Sequence, residues 1–219
     1  MNTCLNMKPH DKTGLLITFC GLDGCGKTTM INMLWDYFKY RGVHAAITKQ
    51  PTDEMRQNHI FRTYMDADDH SQYSYRTLSL MAAADRVQHC NHVILPTLES
   101  ATTLISDRYF YSCLANLRAR GYTQDQWIYD IASKEIPKPD FAFFLDVDVE
   151  TAINRVRRRP DERDSYIDIE LQYRLRDEYR KICADNGGIF LSSDTDIKNT
   201  FDAIIKHIES YKEGFNHGK

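Results

Sequence analysis

The chain has 219 residues, of which 42% are hydrophobic and 27% charged, with a formal net charge of -3. That length suits one compact domain whose core needs no disulfide or metal staple. The balance lacks the basic excess of a nucleic-acid binder, and no apolar stretch approaches a membrane span, so a cytoplasmic protein that binds neither is expected.

Residues 1–13 are polar, carry Pro9 and His10, and read as a flexible N-terminal extension to a single domain over 14–213. Leu15-Leu16-Ile17-Thr18-Phe19-Cys20 is a short apolar run of the kind buried on both faces of a parallel sheet. A glycine loop follows, then a helical pattern over 28 to about 40, with Met30, Leu34, Tyr37 and Phe38 as its apolar stripe and Gly42 as its stop. Ala45-Ala46-Ile47-Thr48 makes a second strand. An amphipathic segment runs from about 72 to 99, with a break expected near Pro96. Strands at Thr103-Leu104-Ile105-Ser106-Asp107, Phe141-Ala142-Phe143-Phe144-Leu145-Asp146 and Gly188-Ile189-Phe190-Leu191 complete the set, and a last helix covers about 197 to 211. Strands alternating with helices predict a three-layer α/β fold, a five-stranded parallel sheet flanked by helices. None of the six cysteines falls in CxxC spacing, so no zinc site is expected, and Cys20 and Cys113 read as packed, reduced thiols.

Gly21-Leu22-Asp23-Gly24-Cys25-Gly26-Lys27-Thr28 fits the pattern G-x-x-x-x-G-K-S/T, with a strand before it and a helix after it. Glycines allow the backbone to wrap a phosphate and aim successive N–H groups at its oxygens. The helix start adds its positive dipole end, Lys27 reaches the β- and γ-phosphates of a nucleotide, and the Thr28 hydroxyl ligates Mg²⁺. Cys25, inside the loop, reads as a small residue that the loop tolerates. Asp107 closes a strand at the carboxyl edge of the sheet, where a carboxylate can hold Mg²⁺ or its waters. Arg108 follows it and is suited to bidentate phosphate binding.

Five blocks carry a resemblance to the thymidylate kinases: 21–29, including Asp23 and Thr29; Thr48-Lys49-Gln50-Pro51-Thr52, similar to that family's T-R-E-P; Ala83-Ala84-Asp85-Arg86-Val87-Gln88-His89, similar to A-A-D-R-A-Q-H; Asp107-Arg108-Tyr109 with Ser112, similar to D-R-Y-x-x-S; and Pro139-Asp140 with Phe144-Leu145-Asp146-Val147. The resemblance covers about 15 to 211 and implies a P-loop kinase that transfers a phosphoryl group from Mg·ATP to a nucleoside monophosphate, foremost dTMP. It implies a short helical lid over about 155–167, where Arg155, Arg157, Arg158, Arg159 and Arg163 cluster. Gly24 resembles the family variant that places its catalytic arginine in the lid, and Arg159 and Arg163 are the favoured candidates beside Lys27 and Arg108. The resemblance further implies that Asp23 meets the acceptor's 3′-hydroxyl, that Lys49 and Arg108 hold its phosphate, that Gln50, Pro51, Tyr109, Ser112 and Asn116 border the acceptor, and that Arg86 reaches its base. The loop near Asp194 would border adenine, and the helix over 80–93 would form a homodimer interface.

The departures gather around the base. The family's Phe before A-A-D-R is Ala82 here, its A-Y-Q is Ala115-Asn116-Leu117, and the Glu of T-R-E-P is Gln50. A stacked base contributes roughly 1–3 kcal/mol, so a lost ring alters selectivity. Met81, Tyr73 or Tyr75 could restore a stacking surface, and a modified nucleotide or another phosphorylated metabolite stays open as acceptor. A nucleoside kinase would need a carboxylate base where Gln50 stands. A non-catalytic nucleotide-binding protein would not need Lys27, Thr28, Asp107 and the lid arginines together.

Overall fold

The structure, a computed structural model, describes residues 3–66, 72–160, 167–194 and 196–216, the side chains of 66 and 212–216 excepted. In chain order the elements are β1 (Lys8–Pro9), β2 (Leu16–Cys20), α1 (Lys27–Tyr40), β3 (Ala45–Lys49), α2 (Asp53–Gln57), α3 (His59–Asp66), α4 (Tyr75–His89), a π-helical turn (Cys90–Ile94), α5 (Leu95–Glu99), β4 (Thr103–Asp107), α6 (Phe110–Ala119), α7 (Trp127–Glu135), β5 (Pro137–Lys138), β6 (Phe141–Asp146), α8 (Val149–Arg157), α9 (Ile169–Asp185), β7 (Ile189–Ser192) and α10 (Ile197–Asn216).

All five expected strands form one parallel sheet in the order β3-β4-β2-β6-β7. Every residue of β2 is buried, which explains its unbroken apolar sequence. The Thr18 hydroxyl, the one polar side chain in that run, donates to Phe141 O at 3.4 Å. Residue pairs Lys49–Asp107 and Phe19–Asp107 lie level in the ladder, so β2, β3 and β4 end together at one edge. The chain leaves β2 toward β3 on one side and later returns to β6 on the other. Loops that diverge in this way open a crevice at the carboxyl ends of the strands. Helix α1 buries Met30, Ile31, Leu34 and Phe38 and packs near α10, while α4, α6 and α9 form a second group.

Two expectations are corrected. The N-terminal segment is packed rather than loose: Thr3, Leu5 and Met7 are buried, and β1 pairs with β5. Thr3 N donates to Asp185 Oδ2 at 3.0 Å, and Leu5 N to Asn186 Oδ1 at 2.9 Å. Alternating Thr3, Leu5 and Met7 point inward, a period of two hidden in a polar composition. The break near Pro96 lies earlier, as the π-helical turn. Pro96 sits in the first turn of α5, where a missing N–H leaves no helical bond unmade.

Asp146, at the end of β6, fastens α9. Arg176 donates to both of its oxygens at 2.7 and 2.9 Å, and Arg180 adds a bond of 2.8 Å. Burial alone would raise this carboxyl, but hydrogen bonds from Arg176 and Arg180 override it and hold it below its ordinary value of 3.8. A depressed carboxyl contributes stability that is fully present above the unfolded value and is lost as pH falls through the folded one. Asp146→Asn is therefore expected to lose about 2 kcal/mol at pH 7. In urea melts between pH 7 and 3, it should show a shallower acid loss than the wild type. Equal slopes would remove Asp146 from the acid response.

Candidate active site

The phosphate loop joins β2 to α1. Gly26 takes φ 93° as the residue before the helix, a left-handed conformation that glycine adopts without strain. Gly24, at φ 83°, is held so close to α8 that an added Cβ would lie 2.2 Å from Ala152 O. No side chain fits there, so an arginine cannot stand at this position without moving the loop. Lys27 opens α1 and is buried; its Nζ donates to Leu22 O at 2.7 Å and to Gly21 O at 3.2 Å. The Cys25 thiol is buried 3.7 Å from the same ammonium. Thr28 and Thr29 are exposed in the first helical turn, where backbone N–H groups lack intrahelical partners.

Arg108 crosses the mouth of this loop. Its Nη2 donates to Asp23 Oδ1 at 2.6 Å, and its Nη1 to Gly21 O at 3.2 Å and Tyr179 Oη at 3.1 Å. The backbone holds Arg108 at φ 67°, strained for a non-glycine residue and stabilised by its N–H donating to Phe19 O at 2.8 Å. The Arg108 guanidinium holds the Asp23 carboxyl well below the usual carboxylate range, with Lys27 and Arg159 acting in the same direction. Asp23 therefore stays ionised and can accept a hydrogen bond from a hydroxyl.

Asp107 Oδ1 is buried without a hydrogen-bond partner among the described residues. An orphaned buried carboxylate oxygen is costly unless a cation meets it, so the residue fits a metal-binding role. Among the described residues, no group of three or more His, Cys, Asp or Glu could hold a metal. Mg²⁺ that keeps waters and binds phosphates needs only one or two protein oxygens, and Thr28 with Asp107 offers them.

These groups line one cleft of about 1840 Å³, larger than a single-ligand pocket. Its described lining carries nine Lys and Arg side chains against three Asp, in a chain whose net charge is -3. The lining includes Arg155 on α8 and Arg159 just past its end; Arg155 donates to Gly24 O and Ser193 O. Arg157 and Arg158 are exposed and do not line the cleft. Arg163 and part of the expected lid lie outside the described residues. The lining also includes Lys49, Arg56, Tyr64, Tyr73, Tyr75 and Arg120.

Several expected acceptor contacts are placed elsewhere. Gln50 is fully buried, and its side chain meets His89 Nδ1 at 3.0 Å, while His89 Nε2 meets Thr48 Oγ1 at 2.8 Å. Tyr109 is also fully buried and donates to Pro137 O at 2.7 Å. Ser112 accepts from Tyr179 Oη at 3.0 Å, and Asn116 Nδ2 donates to Ser112 O at 2.9 Å. Arg86 is buried, with Nη1 on Ala82 O at 2.9 Å. None of these, nor Pro51 or Ala82, lines the cleft. Most of their polar groups are met internally, although Gln50 Oε1 and Arg86 Nε are buried without a hydrogen-bond partner among the described residues. Arg56 was missed by sequence reading. It sits on α2, capped by Thr52, and donates from Nε to Pro51 O at 2.9 Å. No motif contains it; only its distance of five residues from Pro51 on a short helix brings it to the cleft.

A parallel sheet, a phosphate loop at its carboxyl edge and a cationic cleft with a carboxylate aimed into it define a P-loop phosphotransferase. Residues 19–204 match the family described as thymidylate kinase. A probable thymidylate kinase of Pyrococcus horikoshii is 35% identical over 204 residues, covering 89% of this chain and 97% of the relative. A probable thymidylate kinase of Thermococcus kodakarensis is 36% identical, covering 77% and 83%, and a thymidylate kinase of Halothermothrix orenii is 32% identical, covering 83% and 89%. The chain belongs to the thymidylate kinase family. No described helix is long and apolar enough to cross a membrane.

Proposed function

We propose that the protein phosphorylates dTMP to dTDP with ATP as donor. The observation that carries this reading is Arg108, which joins the phosphate loop's Asp23 and Gly21 to the strand end bearing Asp107. This supports a reading in which the Arg108 guanidinium meets phosphate between donor and acceptor.

In this reading, Lys27 leaves its loop carbonyls for the β- and γ-phosphates, and the amides of Gly21, Asp23, Gly24, Cys25 and Gly26 with Thr28 and Thr29 cradle them. Thr28 and Asp107 would hold Mg²⁺, which when bound offsets negative charge on the phosphates. Arg108, Lys49 and Arg56 orient the acceptor's phosphate, and Asp23 accepts from its sugar hydroxyl. Arg159, with Arg163, brings positive charge over the transferring group and helps exclude water. A phosphate oxygen is already an adequate nucleophile, so no general base is needed. The exposed Leu80 and Val93 support a homodimer through the helix over 80–93. The cytoplasm is the proposed location.

The test is ADP release with Mg·ATP and dTMP, dUMP, UMP, CMP, dCMP, AMP or GMP. Turnover with dTMP well above the rest supports the reading. Turnover with none above the ATPase background overturns it in favour of a modified nucleotide or another phosphorylated metabolite.

A further inference from the structure

Tyr75, Ala82 and Arg86 are spaced by seven and four along α4, which puts them on one stripe. Ser112, Asn116 and Arg120 are spaced by four along α6 and its cap. The two helices pack together. In the lower turns each polar side chain bonds back to its own helix: Arg86 to Ala82 O on α4, and Asn116 to Ser112 O on α6. Only the top pair, Tyr75 and Arg120, reaches the cleft wall.

There the Arg120 guanidinium lies over the Tyr75 ring, Cζ 3.9 Å from its centroid. Its Nη1 donates to Asn116 Oδ1 at 2.8 Å and Asn116 O at 3.2 Å, which fixes the plane. Tyr64 backs the ring at 5.7 Å. Nε and Nη2 form no hydrogen bond among the described residues. Ala82 stands where the family resemblance places a Phe, and the layered Arg120–Tyr75 pair offers a flat surface in the cleft lining.

We infer that Arg120, held flat on Tyr75, is the residue that selects the acceptor's base, favouring a pyrimidine with a carbonyl at C4 over one with an amino group there. A planar guanidinium offers a stacking face and an edge of N–H donors. Those donors pair with a ring carbonyl and oppose an exocyclic amine, donor against donor. Lysine has no such face. This inference rests on the dTMP reading and deepens it.

Calorimetric titration of wild type, Arg120→Ala, Arg120→Lys, Tyr75→Phe and Tyr75→Ala with dTMP and with dCMP tests it. The wild type is expected to bind dTMP at least about tenfold more tightly than dCMP. Arg120→Ala should lose about ten- to a hundredfold in dTMP affinity with little change for dCMP, so the preference collapses. Arg120→Lys, which keeps charge and bulk, should follow it and serves where the alanine variant fails to fold. Tyr75→Phe should keep the preference, and Tyr75→Ala should lose it. ATP affinity should be unchanged throughout. Wild type that binds dTMP, with both Arg120 variants keeping its preference, overturns the role of Arg120 alone. Wild type that does not bind dTMP overturns the dTMP reading and this inference with it.

Discussion

Arg108→Ala is expected to lower kcat about a thousandfold, the effect of removing one strong charge-stabilising donor from a preorganised site. One guanidinium serves three partners: Asp23, Gly21 O and Tyr179 Oη. Its removal takes away the charge proposed to meet the acceptor phosphate, and the Asp23 carboxyl, still beside Lys27 and Arg159, is expected to move up. The sign follows from the depressed wild-type value: the wild-type carboxylate survives into acid, whereas the variant's should protonate at a higher pH than the wild type's and then cease to accept a hydroxyl. Arg108→Lys keeps the charge but cannot span the three partners, and should recover only part of the loss. Steady-state kinetics against both substrates, with circular dichroism to read the fold, decides the matter. A rise in the KM for dTMP with kcat unchanged would reduce Arg108 to a binding residue.

Gly24→Ala should be the most damaging single-methyl change in the protein. The new Cβ would stand 2.2 Å from Ala152 O, a backbone atom that no rotamer change can move, at a φ of 83° that alanine resists. Either the phosphate loop or α8 must shift. A loss of about 3 kcal/mol of stability is expected, with ATP affinity down about tenfold or more because the loop amides lose their aim. Thermal melts and nucleotide titration check it. Melts and affinity both equal to wild type would mean that the loop and α8 separate easily. The same clash explains why an arginine grafted into the loop should not rescue a variant whose lid arginines are removed.

The central strands β2, β4 and β6 were legible because strands buried on both faces need short apolar runs, whereas β3 and β7 stand at the edges and are half-buried. The phosphate loop was legible because its chemistry requires residue types at fixed local spacing. What stayed hidden is what depends on three-dimensional closure. Gln50, Tyr109 and Ser112 stand in blocks that resemble acceptor-binding segments, yet the fold turns their side chains toward His89, Pro137 O and Tyr179. Arg56, Arg62 and Arg120 belong to no motif, yet they line the cleft. Tyr75 was named as a possible stacking surface, but its cover by Arg120 joins two helices whose pairing no local pattern encodes. The packing of the segment from Thr3 to Met7 was masked by its composition, since three inward side chains in a polar segment leave little average hydropathy.

The latch between Thr3 and Leu5 and the end of α9 also decides where the protein tolerates labels. Asp185 and Asn186, which hold the latch, terminate the helix that carries Tyr179, a partner of Arg108. A fluorophore or affinity fusion joined at the amino end is expected to disturb that helix and, through Tyr179, Arg108. A dye on the exposed face of α1, for example at Tyr40, would report from outside that chain of contacts.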